Sequence, residues 1–503
     1  MADAAERSCV VLLLAYVAWV PMPFGSNVDA AFLPLILPPM LLCAVASWLR
    51  FRDPALPYLT LAYRLWTAGA VAFLVVVAFQ LVPMPRVILA MISPKSNDIW
   101  TSADHLASLA GLATSSLHPI SIDPESTWRE TLRFLALFAA MQSAAMLITT
   151  NARRVAFAAV VVITALFEIL YGVREAALRR YAIWGWVNKL VLNRVTGTYV
   201  NPNHFAHLVA LALPFTVFFV ALAWRNAGAA TMPFRRRIVL LFEKSLPLFS
   251  AGVLAFFGCV AGILLAQSRG ALAATLGGFA AIAVIVSRRE RHPEVIAQRR
   301  RRHRARNTVA TILSIVVLVS IVISLIAFLG YERTVARFEP TTEGERSTLV
   351  GRVTGFKSAL GIWRRFPVFG SGLGTFADVV SIVQKDDLAH IYQHAHDDYV
   401  ELLATTGVAG FAVVMLTLAF GTIAIARNVM RRPRQSGSWR RRAFEIAALW
   451  SLFIAMTHAL FDFNSFIPAN AATLAVIAGA CVAYRVRIEP REQSEPSVVP
   501  GFV

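Results

Sequence analysis

Residues 247–287 read PLFSAGVLAFFGCVAGILLAQSRGALAATLGGFAAIAVIVS, two apolar runs joined by Gln267-Ser268-Arg269-Gly270, with Arg269 as the only charge. A helix needs about 20 predominantly apolar residues to cross a bilayer, and both runs are of that order. Their apolar character is continuous and carries no polar stripe, unlike a helix lying on a soluble core. This stretch therefore reads as a membrane hairpin and sets the fold class as all-α and polytopic.

The pattern repeats outward from the hairpin. Apolar runs lie near 8–21, 31–49, 60–82, 127–149, 155–172, 203–223, 309–329, 399–426, 443–461 and 469–484. With 247–267 and 271–287 they predict about twelve transmembrane helices. The composition agrees: 57% of the 503 residues are hydrophobic and 15% charged, against about 45–50% and 25% in soluble domains. A water-soluble enzyme is excluded on these grounds. The first run is short enough for a signal peptide. It lacks a small-x-small cleavage site and is followed by Pro21, Pro23 and further apolar runs, so it is expected to stay as a helix.

Net charge is +19, which in a soluble chain would raise nucleic acid as a partner. Here topology accounts for it. With the N-terminus cytoplasmic, the inside segments carry 29 Lys and Arg in 97 positions and the outside loops 16 in 162. This asymmetry places both termini in the cytoplasm. The run Arg299, Arg300, Arg301, Arg302, Arg304 and Arg306 abuts a span without interleaved aromatics, as a stop-transfer segment touching anionic headgroups does. No nucleic acid is expected. Cys9, Cys43, Cys259 and Cys481 all fall in apolar runs with no CxxC, so neither a disulfide frame nor a zinc site is indicated.

Three outside loops are long: 83–126, 173–202 and 330–398. Long structured loops on a rigid scaffold tend to carry function. In the last, Leu349, Val350, Val353, Phe356, Leu360 and Trp363 recur at helical spacing, predicting an amphipathic helix at the membrane surface. Phe366-Pro367-Val368-Phe369-Gly370-Ser371-Gly372-Leu373-Gly374 then breaks it. No Gly-Lys-Ser/Thr follows, so this is no phosphate-binding P-loop, and it reads as a turn returning the loop to the bundle.

Candidate chemistry sits at loop edges. His390, His394, His396, Asp397 and Asp398 precede the 399–426 run. His390 and His394 are one helical turn apart, but the intervening Ile-Tyr-Gln lacks the glutamate of a zinc hydrolase. The alternatives are solvated caps and a histidine moving a proton at the mouth of a membrane cavity. Arg269 either snorkels or binds an anion. Arg194 faces the same side, ahead of Asn201-Pro202-Asn203-His204, and two outward arginines suit a diphosphate. Glu168, inside a span, is expected to pair with an arginine. His458 and Asp462 close the 443–461 run, with helix-end packing and substrate contact both open.

Taken in order, these segments resemble the O-antigen ligase and O-antigen polymerase superfamily, bacterial membrane glycosyltransferases of the metal-independent GT-C type. The matching residues are Gly197-Thr198-Tyr199-Val200-Asn201-Pro202-Asn203, Ser268-Arg269-Gly270, Arg352 with Trp363, Pro367, Gly370, Gly372 and Phe376, His394-Ala395-His396-Asp397-Asp398-Tyr399 with Gly407, and Asp462-Phe463 with Ile467-Pro468-Ala469-Asn470. The resemblance covers roughly 190–480. Asp397 stands where the family pattern has Asn.

The resemblance implies a division into N-terminal transmembrane helices (1–190), a ligase-like region (191–485) with a periplasmic loop at 330–398, and a disordered cytoplasmic tail (486–503). It further implies transfer of glycan from an undecaprenyl-diphosphate carrier to a hydroxyl of a glycan, lipid A-core or protein acceptor, in O-antigen or exopolysaccharide biosynthesis at the inner membrane. His396 would be the base. Arg194, Arg269, Arg352, Asn203, His394 and Asp397 would bind substrate. No cofactor or metal is implied, and the outward loops contain no Asp-x-Asp pair. A transporter or flippase of a small anion or lipid-linked glycan is the competing expectation, although the chain lacks the repeated halves typical of such folds.

Overall fold

The computed structural model describes residues 2–52, 60–188, 193–228, 232–287, 343–384, 392–430 and 439–482. The first half contains α1 (Ala2–Trp19), α2 (Phe32–Phe51), α3 (Leu61–Gln80), α4 (Arg86–Ile92), α5 (Pro94–Leu109), α6 (Pro124–Leu147), α7 (Asn151–Ala177) and α8 (Pro202–Asn226). Then follow α9 (Phe234–Lys244), α10 (Leu246–Leu265), α11 (Arg269–Ser287), α12 (Glu343–Arg365), α13 (Phe376–Val379), α14 (Asp398–Met430), α15 (Trp439–His458) and α16 (Pro468–Cys481). Two short antiparallel ribbons complete it, β1 (Met84–Pro85) with β2 (Leu117–His118) and β3 (Ala182–Ile183) with β4 (Trp186–Val187).

The 309–329 run lies outside the described residues; each other expected span meets a helix. Seven described helices are long and apolar enough to cross a membrane, namely Asp29–Phe51, Leu61–Gln80, Asn151–Ala177, Pro202–Asn226, Leu246–Leu265, Arg269–Val286 and Asp398–Met430. The protein is thus all-helical in character and polytopic. The others are of a different kind. α6 opens with Glu125, Arg129, Glu130 and Arg133, α15 opens with Arg440, Arg441, Arg442 and Glu445, and α16 has only 14 residues.

α8 sits at the centre, packed by α10, α15 and α7. It is apolar all round, as a helix enclosed by others must be. α2 and α16 pack on α6, α3 on α14, and α11 on α15. Small residues set the closest approaches, as in other membrane bundles. At Gly479 of α16, a Cβ would lie 2.1 Å from the Met141 carbonyl oxygen of α6.

Three features differ from the sequence reading. The loop at 83–126 contains α4 and α5. α14 is continuous in sequence yet broken at Gly407, whose φ of 62° is open to glycine. The turn 366–374 docks into the break: Ser371 and Gly372 N–H donate to the carbonyls of Ala404 (3.2 Å) and Thr405 (3.0 Å), and Val408 N–H donates to Pro367 (2.9 Å). Buried Gln80 secures the joint, donating to Thr405 O (2.8 Å) and accepting from Leu373 N–H (3.0 Å). The groups freed by the kink are therefore satisfied inside the protein, the condition for broken helices at membrane depth. Finally, α12 forms, but Val353 and Phe356 face outward, and Gly355, Ser358, Ala359 and Ile362 make the buried face.

Candidate functional site

The site is assembled where 193–204, 266–270, α12, 392–398 and 458–466 meet, and Asp462 is its hub. Residues 459–462 form the turn that follows α15, where the chain turns back and leaves the Asp462 carboxylate buried. One oxygen, Oδ1, lies 3.3 Å from His396 Nδ1 and 3.9 Å from His204 Nε2. The other, Oδ2, accepts from Asn203 Nδ2 at 2.8 Å and stands 3.8 Å from Arg352 Nη2. Burial opposes ionisation, but His204, His396 and the Arg352 guanidinium outweigh it and hold this carboxyl well below the usual carboxylate range.

His396 occupies a left-handed backbone position (φ 56°), uncommon for a residue with a Cβ. Strain of this sort concentrates at functional sites. With Nδ1–H directed at Asp462, the neutral ring presents the lone pair of Nε2, which has no partner among the described residues. The side chain is 31% exposed and so can be reached from solvent. Gly355 of α12 lets this loop approach, since a Cβ there would come within 3.1 Å of the Ala395 carbonyl oxygen.

His394 is held differently. Its Nδ1 meets Glu401 Oε1 at 2.8 Å, and its ring stacks on Phe463 at 4.2 Å between centroids. Burial disfavours a charge on this ring, but Glu401 overrides it and raises the pKa above the ordinary imidazole value. Phe463 also takes the edges of His204 (4.7 Å) and His396 (5.0 Å), so one ring spaces three histidines.

Arg194 ties the 193–203 loop to the end of α10. Its Nε donates to Ala266 O (2.9 Å), and Nη2 reaches Asn203 Oδ1 and Gln267 O (both 3.3 Å). Arg269 begins α11 two residues beyond Gln267, exposed at the same corner. A continuous polar chain thus runs from Arg194 through Asn203 and Asp462 to His396. Around it, His204 Nε2, His458 Nε2 and the Arg352 Nε are buried without a hydrogen-bond partner among the described residues. Such clusters of unsatisfied polar atoms are rare away from ligand or water sites.

Of the residues expected from sequence, Arg194, Asn203, Arg352 and His396 fall in one connected network, with His394 and Arg269 on its rim. Asp397 is turned elsewhere: its Oδ1 accepts from Tyr399 N–H (3.0 Å) and Val400 N–H (3.1 Å), capping α14. His390 lies outside the described residues. Among the described residues, no three His, Cys, Asp or Glu side chains converge as a metal site needs. Among the described residues, Glu168 has no arginine partner. Its carboxylate accepts from Thr198 N–H (2.7 Å) and the Thr198 hydroxyl (2.8 Å), fixing the Gly197-Thr198 turn from α7.

Beside the site, a cavity of about 340 Å³ lies between α3, α6, α14, α15 and α16. Its walls are mainly apolar, including Phe73, Leu137, Leu402 and Leu452, and it shares Asp398, Asn464 and Ser465 with the site segments.

No curated protein matches the chain. The family model described as O-antigen ligase matches residues 252–415, from within α10 to beyond the Gly407 break, a stretch that contains Arg269, Arg352, His394 and His396. Arg194, Asn203 and Asp462 lie outside it, and the fold brings them to the same place. Over residues 252–415 the chain is thus similar to the O-antigen ligase family, and the match supports glycan transfer in cell-surface polysaccharide biosynthesis.

Proposed function

We propose that the protein is a metal-independent, GT-C-like glycosyltransferase of the ligase or polymerase type, with about twelve spans in the bacterial inner membrane and both termini cytoplasmic. On its periplasmic face it moves a glycan from an undecaprenyl-diphosphate carrier to a hydroxyl of a glycan, lipid A-core or protein acceptor. The 191–485 region carries the chemistry, and the helices of 1–190 buttress it through Glu168 and Gln80.

The observation that carries this reading is the His396–Asp462 contact at 3.3 Å, linked through Asn203 to Arg194. Asp462 orients His396 and balances the charge it gains, so Nε2 accepts the acceptor hydroxyl proton as that oxygen attacks the anomeric carbon. The bond from that carbon to the carrier phosphate breaks, and the diphosphate leaves with the electron pair. Arg194, Arg269 and Arg352 stabilise the departing charge, a role guanidinium geometry suits. The apolar cavity next to Asp398 and Asn464 offers room for part of the carrier's lipid chain.

The test is reconstituted transfer from purified lipid-linked glycan, with and without EDTA, over about pH 5–8, the range in which histidine titrates. Transfer should persist in EDTA and fall in Arg269→Lys and Arg194→Lys, because an ammonium cannot make a two-pronged contact with phosphate. EDTA-sensitive transfer would overturn the metal-independent mechanism.

A further inference from the structure

The ribbon β3–β4 and the end of α7 lie apart from the network above and carry an unusual surface. Trp184 and Trp186 are 53% and 48% exposed. Trp184 is nevertheless held rigidly. Its Nε1–H donates to Met22 O (2.7 Å), its backbone N–H donates to the Tyr171 hydroxyl (2.8 Å), and its ring lies 4.9 Å from Tyr171 and 6.5 Å from Phe167. Trp186 meets the edge of Phe24 at 5.8 Å.

The turn between the strands is Trp184-Gly185, both at positive φ (50° and 89°). Asn-Gly or Gly-Gly makes this turn readily, so a tryptophan in its first position is strained and holds its ring at the tip. Arg179 and Tyr181 are also left-handed (53° and 46°). Arg174 pairs with Glu175, whereas the exposed side chains of Arg179 and Arg180 have no partner among the described residues. Tyr171, Arg179, Arg180 and Trp184 line one open groove.

This surface adjoins the loop that carries Arg194. Tyr181 hydroxyl donates to Asn193 Oδ1 (3.1 Å), next to Arg194, and Asn188 Nδ2 donates to Val200 O (2.8 Å). We infer that residues 171–187 form a second glycan-binding ledge that takes an acidic oligosaccharide. The C–H faces of pyranose rings lie flat on Trp184 and Tyr171, whose π faces are electron-rich, and sugar carboxylates pair with Arg179 and Arg180. Building on the transfer reading, the ledge steers the saccharide of donor or product past Arg194.

The test is binding of tetragalacturonate, with cellotetraose as the uncharged probe, to the full chain in phosphatidylcholine nanodiscs. Tetragalacturonate should bind more tightly than cellotetraose. Trp184→Ala and the double variant Arg179→Ala/Arg180→Ala should each weaken it roughly tenfold, the scale of losing one anchoring contact, and added salt should weaken it further. A nitroxide on Val187→Cys should be reached by a water-soluble relaxation agent. Equal binding by wild type and both variants would overturn the ledge. So would a nitroxide reached only from the lipid, which makes these tryptophans interfacial anchors. Because binding is read without turnover, a chain that transfers glycan but binds tetragalacturonate equally in every variant loses the ledge and keeps the transfer reading.

Discussion

Two pairs of histidines stand close together and are built for different work. His394 and His396 lie at the accessible edge, each facing a carboxylate, Glu401 and Asp462. His207 of α8 and His458 of α15 are enclosed between helices, their Nδ1 atoms 2.8 Å apart. Two imidazoles meeting through Nδ1 need one N–H and one lone pair, so they cannot both carry a proton there. An imidazole facing a carboxylate has the opposite property, since gaining a proton strengthens the contact. The first pair can turn over protons, whereas the Nδ1 contact of the second ties α8 to α15. Near them, Asp462 Oδ1 lies 3.3 Å from His396 Nδ1 and 3.9 Å from His204 Nε2.

The largest expected effect tests that division directly. His396→Ala should lower turnover about 10²–10⁴-fold, the range for losing a general base, with donor binding retained. His207→Ala should instead lower the thermal midpoint and leave the turnover of folded protein near wild type. Turnover lost in folded His207→Ala but kept in His396→Ala would invert the comparison.

Next in size are the two carboxylates. Asp462→Asn removes the charge behind His396 and should cost about 10–100-fold in turnover, equivalent to one charge-assisted hydrogen bond. Asp397→Asn should be nearly silent, because asparagine caps a helix as well as aspartate does. Assays of both variants at one substrate concentration decide it, and equal losses would mean that Asp397 serves the reaction rather than the helix.

The same contrast explains what the sequence made legible. Apolar runs of spanning length announce helices, and a histidine at a loop's return announces itself by chemistry. Asp462 is 66 residues from His396, and nothing local distinguishes it from Asp397, which stands beside the histidine and looks the better partner. The break at Gly407 is hidden because α14 stays apolar on both sides of it; only the docked carbonyls of 366–374 require it. Glu168 looked like half of an ion pair because a buried carboxylate calls for a cation, yet backbone and hydroxyl donors of Thr198 satisfy it. On α12 the apolar spacing was read correctly as a helix face, but the protein is met by the small residues opposite, which allow closer approach than Val353 and Phe356 would.

A smaller effect concerns the corner that joins the two pairs. In Gly270, a Cβ would lie 2.9 Å from His458 Nε2. Gly270→Ala should therefore displace His458 or α11 and destabilise the protein by about 1–3 kcal/mol, as overpacking does. Thermal unfolding in detergent reads this, and Gly270→Ala combined with His458→Ala should recover part of the loss. No recovery would mean that the strain lies elsewhere.

The smallest effect is the pH dependence of the accessible pair. His394 has a folded pKa raised by Glu401 above its unfolded value of about 6.5. Its contribution to stability is complete below that unfolded value and fades as pH rises through the raised folded one. Asp462 has the reverse shift, with a folded pKa well below its unfolded value of about 3.9. Its contribution is present above that unfolded value, so it stays constant from about pH 5 to 8 and is lost only in stronger acid. Thermal midpoints of wild type and His394→Gln, compared from about pH 5.5 to 8.5, isolate the first effect. The gap should be widest at the acid end and narrow toward the alkaline end. A gap independent of pH would mean that His394 acts only through its stacking on Phe463, leaving His396 as the sole member of the accessible pair whose charge matters.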